Sequence, residues 1–219
     1  ANKRKGNGDV AFTFMGDGAV NIGAVPESMN LAALWDLPIC FFIENNGFAV
    51  STRLDEETRE TRLSSRGLAY GIPALRVDGM DPVAVRLAAQ EAVDIMRTGQ
   101  GPVIIEAILY RFFHHGGGID GSAFGYRSKK DEAEWRQRDP LILLAKGMTK
   151  HGWLDKKDDA NLRQMAQQGM AQIMDRLTVE DGNKRTIVES LWPKPEFRDE
   201  GLRGDLSEFD GVRYEEAET

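Results

Sequence analysis

Two short apolar runs, VAFTFM at residues 10–15 and PICFFI at 38–43, constrain this chain more than anything else in it. Both are rich in β-branched and aromatic residues, lack the alternation of a half-exposed strand, and stop at glycine or asparagine. That is the pattern of parallel strands buried on both faces. Between them, residues 24–35 place Met29, Leu31, Ala32, Leu34 and Trp35 at helical spacing, with Pro26 in the first turn, where proline is tolerated. Strand, glycine turn, helix and strand make one βαβ unit. Its polar tips, Gly16-Asp17-Gly18 and Asn45-Asn46-Gly47, then emerge at one edge of the sheet.

Ligands of open parallel sheets sit at the carboxyl ends of the strands, and a glycine there lets backbone N–H groups approach phosphate oxygens. The N–H groups of Gly18 and Ala19, at the entrance to the helix, are so placed. A bare carboxylate such as Asp17 would repel a diphosphate, so it makes sense only with a cation between them. Mg²⁺ takes oxygen ligands from a carboxylate, a side-chain amide, a backbone carbonyl and the phosphates themselves. Asn46, 29 positions after Asp17, supplies the amide.

The rest of the chain repeats the alternation. Residues 53–66 are charged, without an apolar face, and read as a loop leading into a short helix around Leu68. A third strand is expected at 74–77, a helix opened by Asp81-Pro82 and ended by Gly99, and a fourth strand at 103–109. From 112 to 126 periodicity is lost and glycines gather, which predicts a long mobile loop at a strand's carboxyl end, where long loops are usually functional. Helices follow at 129–137, 141–150 and 158–177. The fold class is α/β, a doubly wound and mostly parallel sheet with C-terminal helices and an irregular acidic tail. The organisation expected is one ligand-binding domain at 1–190 and the tail at 191–219.

The chain has 219 residues, 41% of them hydrophobic, enough for a proper core. Residues 196–219 hold nine acids against three arginines and so carry −6 of the net −7. The body is nearly neutral, with no electrostatic footprint for nucleic acid or an anionic membrane. Lys3-Arg4-Lys5 is a short basic turn and reads as solvated. Cys40 is alone and inside an apolar run, which excludes a disulfide framework and suggests a core thiol. No apolar run approaches the roughly 18–20 residues of a membrane span, and no charged-then-apolar leader opens the sequence. A cytoplasmic or mitochondrial-matrix location is expected.

GDG followed about thirty residues later by NN resembles the signature of thiamine-diphosphate-binding proteins. The stretch GDGAVNIGAVPESMNLAALWDLPICFFIENNGFAVST more specifically resembles the alpha subunit of the dehydrogenase (first) component of 2-oxo acid dehydrogenase complexes. RVDGMDPVAV, YRFFHHGGGIDGSAFGYRS and RDPLILL continue the likeness over residues 9–177, and the double histidine is most like the branched-chain members. The resemblance implies thiamine diphosphate and Mg²⁺ as cofactors. It implies Asp17, Asn46 and the backbone carbonyl of Phe48 as metal ligands, and Gly18 and Ala19 against the diphosphate. His115 aligns with the family's loop histidine, which serves cofactor and catalysis, and His114 is its neighbour. Two of the chain's three histidines thus sit in the glycine-rich loop, and imidazole titrates near neutrality, so it can move protons. Tyr110-Arg111 and Tyr126-Arg127 bracket the loop as structural anchors.

The implied reaction is oxidative decarboxylation of a 2-oxo acid with acyl transfer to lipoyl. The implied partners are a beta subunit in an alpha2beta2 heterotetramer, which brings the activating glutamate, and a lipoyl-bearing acyltransferase. An acetoin-cleaving or transketolase-like subunit, or a non-catalytic binding subunit, is the alternative. Two departures stand out. Gly116 occupies the place of the serine whose phosphorylation blocks the animal enzymes, so that control is not expected here. The family's preceding segment, with a cofactor-binding Tyr-Arg pair, is missing before the GDG strand, as in a fragment or a split subunit.

Overall fold

In the computed structural model, which describes residues 1–191, the two apolar runs become parallel neighbours in register from Ala11↔Ile39 to Gly16↔Glu44. The chain groups into two units, Ala1–Leu154 and Asp155–Thr219. The acidic stretch 196–219 falls outside the described residues.

The first unit opens with a helical turn, α1 (Asn2–Lys5), and β1 (Ala11–Gly16), followed by a 3-10 turn at Gly18–Asn21, α2 (Ala24–Leu34) and β2 (Ile39–Asn45). A small hairpin, β3 (Phe48–Ala49) and β4 (Thr52–Arg53), leads to the short α3 (Leu54–Glu57) and a 3-10 segment at Leu63–Tyr70. Then come β5 (Ala74–Asp78), α4 (Pro82–Arg97) and β6 (Val103–Ile108). The sheet runs β1-β2-β6-β5 and every pairing in it is parallel.

Both faces of the two central strands are covered, which makes the fold doubly wound. Phe41, Ile43 and Ile104 pack on one face with Met29 and Ala32 of α2 and with Leu63. Cys40, Phe42, Val103 and Ile105 pack on the other with Ala92 and Met96 of α4. Cys40 is a core thiol, and burial pushes its pKa up to about 12. Asp81 caps α4 by accepting from the N–H groups of Val83 and Ala84, Pro82 fills the first turn, and Gly99 follows its end at φ +79°.

Three expectations are corrected. Among the described residues the first run is not buried on both faces: β1 is the outermost strand in the sheet order and Phe14 is 63% exposed. In α2, Leu31, Leu34 and Trp35 are exposed, leaving Met29 and Ala32 as its buried contacts. The glycine-rich stretch is not structureless, since β7 (Phe113–His114) and β8 (Gly117–Asp120) form a short antiparallel hairpin. Glu132, buried on α5 (Lys129–Arg136), accepts the Ser122 N–H at 3.0 Å and ties down the base of this loop. The unit closes with α6 (Pro140–Lys150).

The second unit begins with α7 (Lys156–Leu177), capped by Asp155, and its described residues continue in a hairpin of β9 (Thr178–Asp181) and β10 (Lys184–Ile187) and a 3-10 turn at Glu189–Leu191. The expectation stopped at the helix and missed this hairpin, whose two-residue loop puts Gly182 at φ +60°. No described helix is long and apolar enough to cross a membrane.

Candidate functional site

The carboxyl ends of β1 and β2 deliver the two polar tips side by side. Asn46 Nδ2 lies 3.5 Å from Asp17 Oδ1. Asp17 is 1% exposed, and its other oxygen, Oδ2, is buried without a hydrogen-bond partner. Burial pushes its carboxyl up from the ordinary value, against the pull of nearby backbone amides and of the Arg111 charge.

A second carboxylate, which the sequence reading passed over, faces this one. Glu57 ends α3, and its Oε2 is also buried without a partner. Its carboxyl is pushed up by burial and then by the charge of Asp17, with Asn21 opposing through a hydrogen bond. Buried carboxylate oxygens without donors are costly, and a bound cation would satisfy them. Among the described residues no three His, Cys, Asp or Glu side chains group as metal ligands, so a cation here needs the amide, a carbonyl or the ligand's own oxygens as well. That fits Mg²⁺ with a diphosphate better than a metal held by protein side chains alone.

The backbone at the turn is equally particular. A Cβ on Gly18 would fall 2.5 Å from Ala49 Cβ, so β3 and the turn after β1 can be this close only with glycine. Gly18→Ala is expected to destabilise the protein by about 1–3 kcal/mol, the usual cost of forcing an extra carbon into a packed place. The readout is the thermal midpoint, and an unchanged midpoint would show that the turn moves aside freely.

Asn46 is oriented by Arg127, which is itself buried. Arg127 donates to Asn46 Oδ1 at 2.9 Å, to the Asn46 backbone oxygen at 3.3 Å and to the Arg111 carbonyl at 2.6 Å. Its guanidinium lies over the rings of Phe48 and Tyr110, at 4.5 and 4.7 Å. The amide nitrogen of Asn46 therefore faces Asp17 and the oxygen faces Arg127. Ligation of a cation through that oxygen requires the amide to turn over, after which Arg127 keeps its bond to the backbone oxygen. Phe48 begins β3 and packs against Tyr126 at 5.4 Å.

The two loop histidines have different surroundings. His114 is half-buried, accepts the Gly116 N–H at Nδ1 (3.1 Å) and packs edge-on against Phe124 at 4.6 Å. His115 is exposed in the turn between β7 and β8. Among the described residues no hydrogen bond or ring contact joins either histidine to Asp17 or Asn46. The link runs through Tyr126, which touches His114 on one side and Phe48 on the other. Arg111 braces this arrangement by donating to the Tyr126 hydroxyl at 2.9 Å and to the Val50 carbonyl at 2.8 Å. Val50 has φ +56°, an uncommon conformation for a β-branched residue, and its carbonyl is held by that bond.

Asn45 and Glu106 form the other polar pair that sequence reasoning left unassigned. Both are buried, and Asn45 Nδ2 donates to Glu106 Oε1 at 2.8 Å. A glutamate inside the apolar run VIIEAI was a legible signal of an internal polar contact, although its partner could be known only from strand register.

A family model described as dehydrogenase E1 component matches residues 1–185. The pyruvate dehydrogenase E1 component subunit alpha of Rhizobium meliloti (strain 1021) is 42% identical over 154 residues, 70% of this chain and 43% of that protein. The protein of the same name from Zymomonas mobilis is 42% identical over 149 residues, 68% of this chain and 41% of that one. That from Staphylococcus aureus (strain Mu50) is 34% identical over 192 residues, 87% and 50%. The chain thus spans half or less of the length of these curated relatives.

Proposed function

Because the chain belongs to the dehydrogenase E1 component family, we propose that it is the diphosphate-holding part of the alpha subunit of a thiamine-diphosphate-dependent 2-oxo acid dehydrogenase. The observation that carries the reading is Asp17: a buried carboxylate with an unpartnered oxygen, 3.5 Å from the Asn46 amide, at the carboxyl edge of a parallel sheet. Asp17, Asn46 and the Phe48 carbonyl hold Mg²⁺, and the N–H groups of Gly18 and Ala19 receive the diphosphate. Thiamine diphosphate, when bound, supplies the carbon chemistry that decarboxylates a 2-oxo acid. His115, exposed on the hairpin turn, moves protons and meets the incoming lipoyl group. His114 orders the hairpin beneath it.

The names of the relatives favour pyruvate over a branched-chain 2-oxo acid as the substrate to test first. The partners proposed are a beta subunit, in an alpha2beta2 assembly, and a lipoyl-bearing acyltransferase, in the cytoplasm or the mitochondrial matrix. Purified from its own cells, the full-length protein is expected to bring both partners with it. It should turn over pyruvate only together with the beta subunit. A partner-free chain decarboxylating pyruvate at ordinary enzymatic rates, on the order of 1 to 10³ per second, would contradict this.

A further inference from the structure

Glu106 stands in the middle of β6, one of the two central strands, and is fully buried. Its neighbours along the strand, Val103, Ile104, Ile105 and Ala107, are buried too, so the environment is one that an aliphatic residue would fill at lower cost. A carboxylate there is tolerable only with its oxygens satisfied, and they are. Oε1 accepts from Asn45 Nδ2 at 2.8 Å, and Oε2 accepts from the Ser64 N–H at 2.9 Å with Arg76 Nε 3.6 Å away.

Strand register dictates these partners. Glu106 lies opposite Ile43 on one side and Arg76 on the other. Asn45 is two residues beyond Ile43, hence on the same face and within diagonal reach. Asn45 is in turn held on its other atoms: its Oδ1 accepts the Gly47 N–H at 3.1 Å and its backbone oxygen accepts the Leu109 N–H at 2.9 Å. Gly47, at φ +77°, is the hinge of the turn that carries Asn46 on one side and Phe48 on the other. A continuous chain of bonds therefore runs from the buried carboxylate through Asn45 to the segment presenting two of the proposed metal ligands. The Ser64 bond fixes the segment after Glu57 to the same carboxylate.

We infer that Glu106 is a positioning residue for the metal and diphosphate site, acting through Asn45 to set the Asn46–Phe48 turn. The inference rests on the cofactor reading above and adds a residue that touches neither metal nor cofactor. Outer-sphere groups of this kind characteristically tune metal affinity by roughly 10- to 100-fold.

Donor and acceptor logic supplies the test. Glu106→Gln offers an NH₂ where Asn45 Nδ2 or the Ser64 N–H must also donate, so one donor faces another however the amide is turned. Asn45→Asp sets two carboxylates against each other. The double variant restores every bond: the amide introduced on β6 donates to the carboxylate introduced at the end of β2 and accepts from the Ser64 N–H, while that carboxylate also accepts the Gly47 N–H. Full-length protein assembled with its beta subunit is titrated with Mg²⁺ at fixed thiamine diphosphate, and the thermal midpoint without cofactor is measured alongside.

Each single variant should need roughly 10- to 100-fold more Mg²⁺ for half-saturation, and the double variant should return to within a few fold of wild type. If Glu106→Gln does not fold, a double variant that folds and binds like wild type supports the proposal, and one that folds without binding overturns it. A lower thermal midpoint with an unchanged Mg²⁺ requirement would make Glu106 a fold residue only and overturn it. So would tighter Mg²⁺ binding by Asn45→Asp alone, which would point to charge rather than position. Wild-type enzyme that shows no metal-dependent cofactor binding would instead overturn the cofactor reading, and this inference with it.

Discussion

Asp17→Ala in the assembled enzyme is expected to abolish Mg²⁺-dependent binding of thiamine diphosphate. Removing one partner of a buried charge pair costs about 3–5 kcal/mol, which is a loss of roughly 10²- to 10³-fold or more in affinity. Asp17 should lie at the upper end, because it is the only carboxylate among the three proposed ligands and faces the diphosphate unscreened when the metal is absent. The fold should not suffer in parallel. Asp17 Oδ2 is buried with no donor, and the Glu57 carboxyl is pushed up by burial and then by the Asp17 charge, so the two carboxylates oppose each other. Asp17→Asn is therefore expected to keep or raise the thermal midpoint while losing the cofactor, as functional sites held at a cost to stability do. Cofactor affinity and midpoint, measured on the same preparations, separate the two effects. An Asp17→Ala enzyme that binds thiamine diphosphate as tightly as wild type does in Mg²⁺ would end the metal-clamp account.

His115→Ala is expected to leave cofactor affinity within a few fold and to reduce acyl transfer to lipoyl by roughly 10²-fold or more, the usual scale of lost acid–base help. The hairpin explains why the effects should divide in this way. His115 is exposed in the turn, and no bond ties it to Asp17 or Asn46 among the described residues. His114 is wedged against Phe124 and accepts the Gly116 N–H, so its removal loosens the hairpin and should cost less. Single-turnover acyl transfer in both variants, with cofactor binding measured in parallel, decides the assignment. A loss in His114→Ala equal to or greater than that in His115→Ala would move the catalytic role to His114. Full activity in both singles and in the double variant would make the loop histidines bystanders.

The strand and helix order was legible because buried parallel strands and capped helices leave local marks: β2 and β6 are apolar runs, and Asp81-Pro82 and Gly99 punctuate α4. The two polar tips were legible for the same reason, since each ends such a run. What sequence could not give is which neighbours an element meets within the described residues. Phe14, Leu34 and Trp35 look like core residues by type and spacing, yet among the described residues β1 ends the sheet order and these three side chains are exposed. The β7–β8 hairpin escaped because a stretch with Gly116, Gly117, Gly118 and Gly121 carries no alternation to read. Of the buried carboxylates, Glu106 had a signal in its apolar strand. Glu57 had none, because its charged surroundings look like any solvated loop until the fold brings them to Asp17.

The most direct measurement is a calorimetric titration of thiamine diphosphate into the full-length wild-type protein assembled with its beta subunit, in Mg²⁺ and again in excess EDTA. The account predicts saturable binding with the metal, affinity weaker by roughly 10²-fold or more without it, and full recovery when Mg²⁺ is restored. Equal affinity with and without metal, or no binding under either condition, would contradict it.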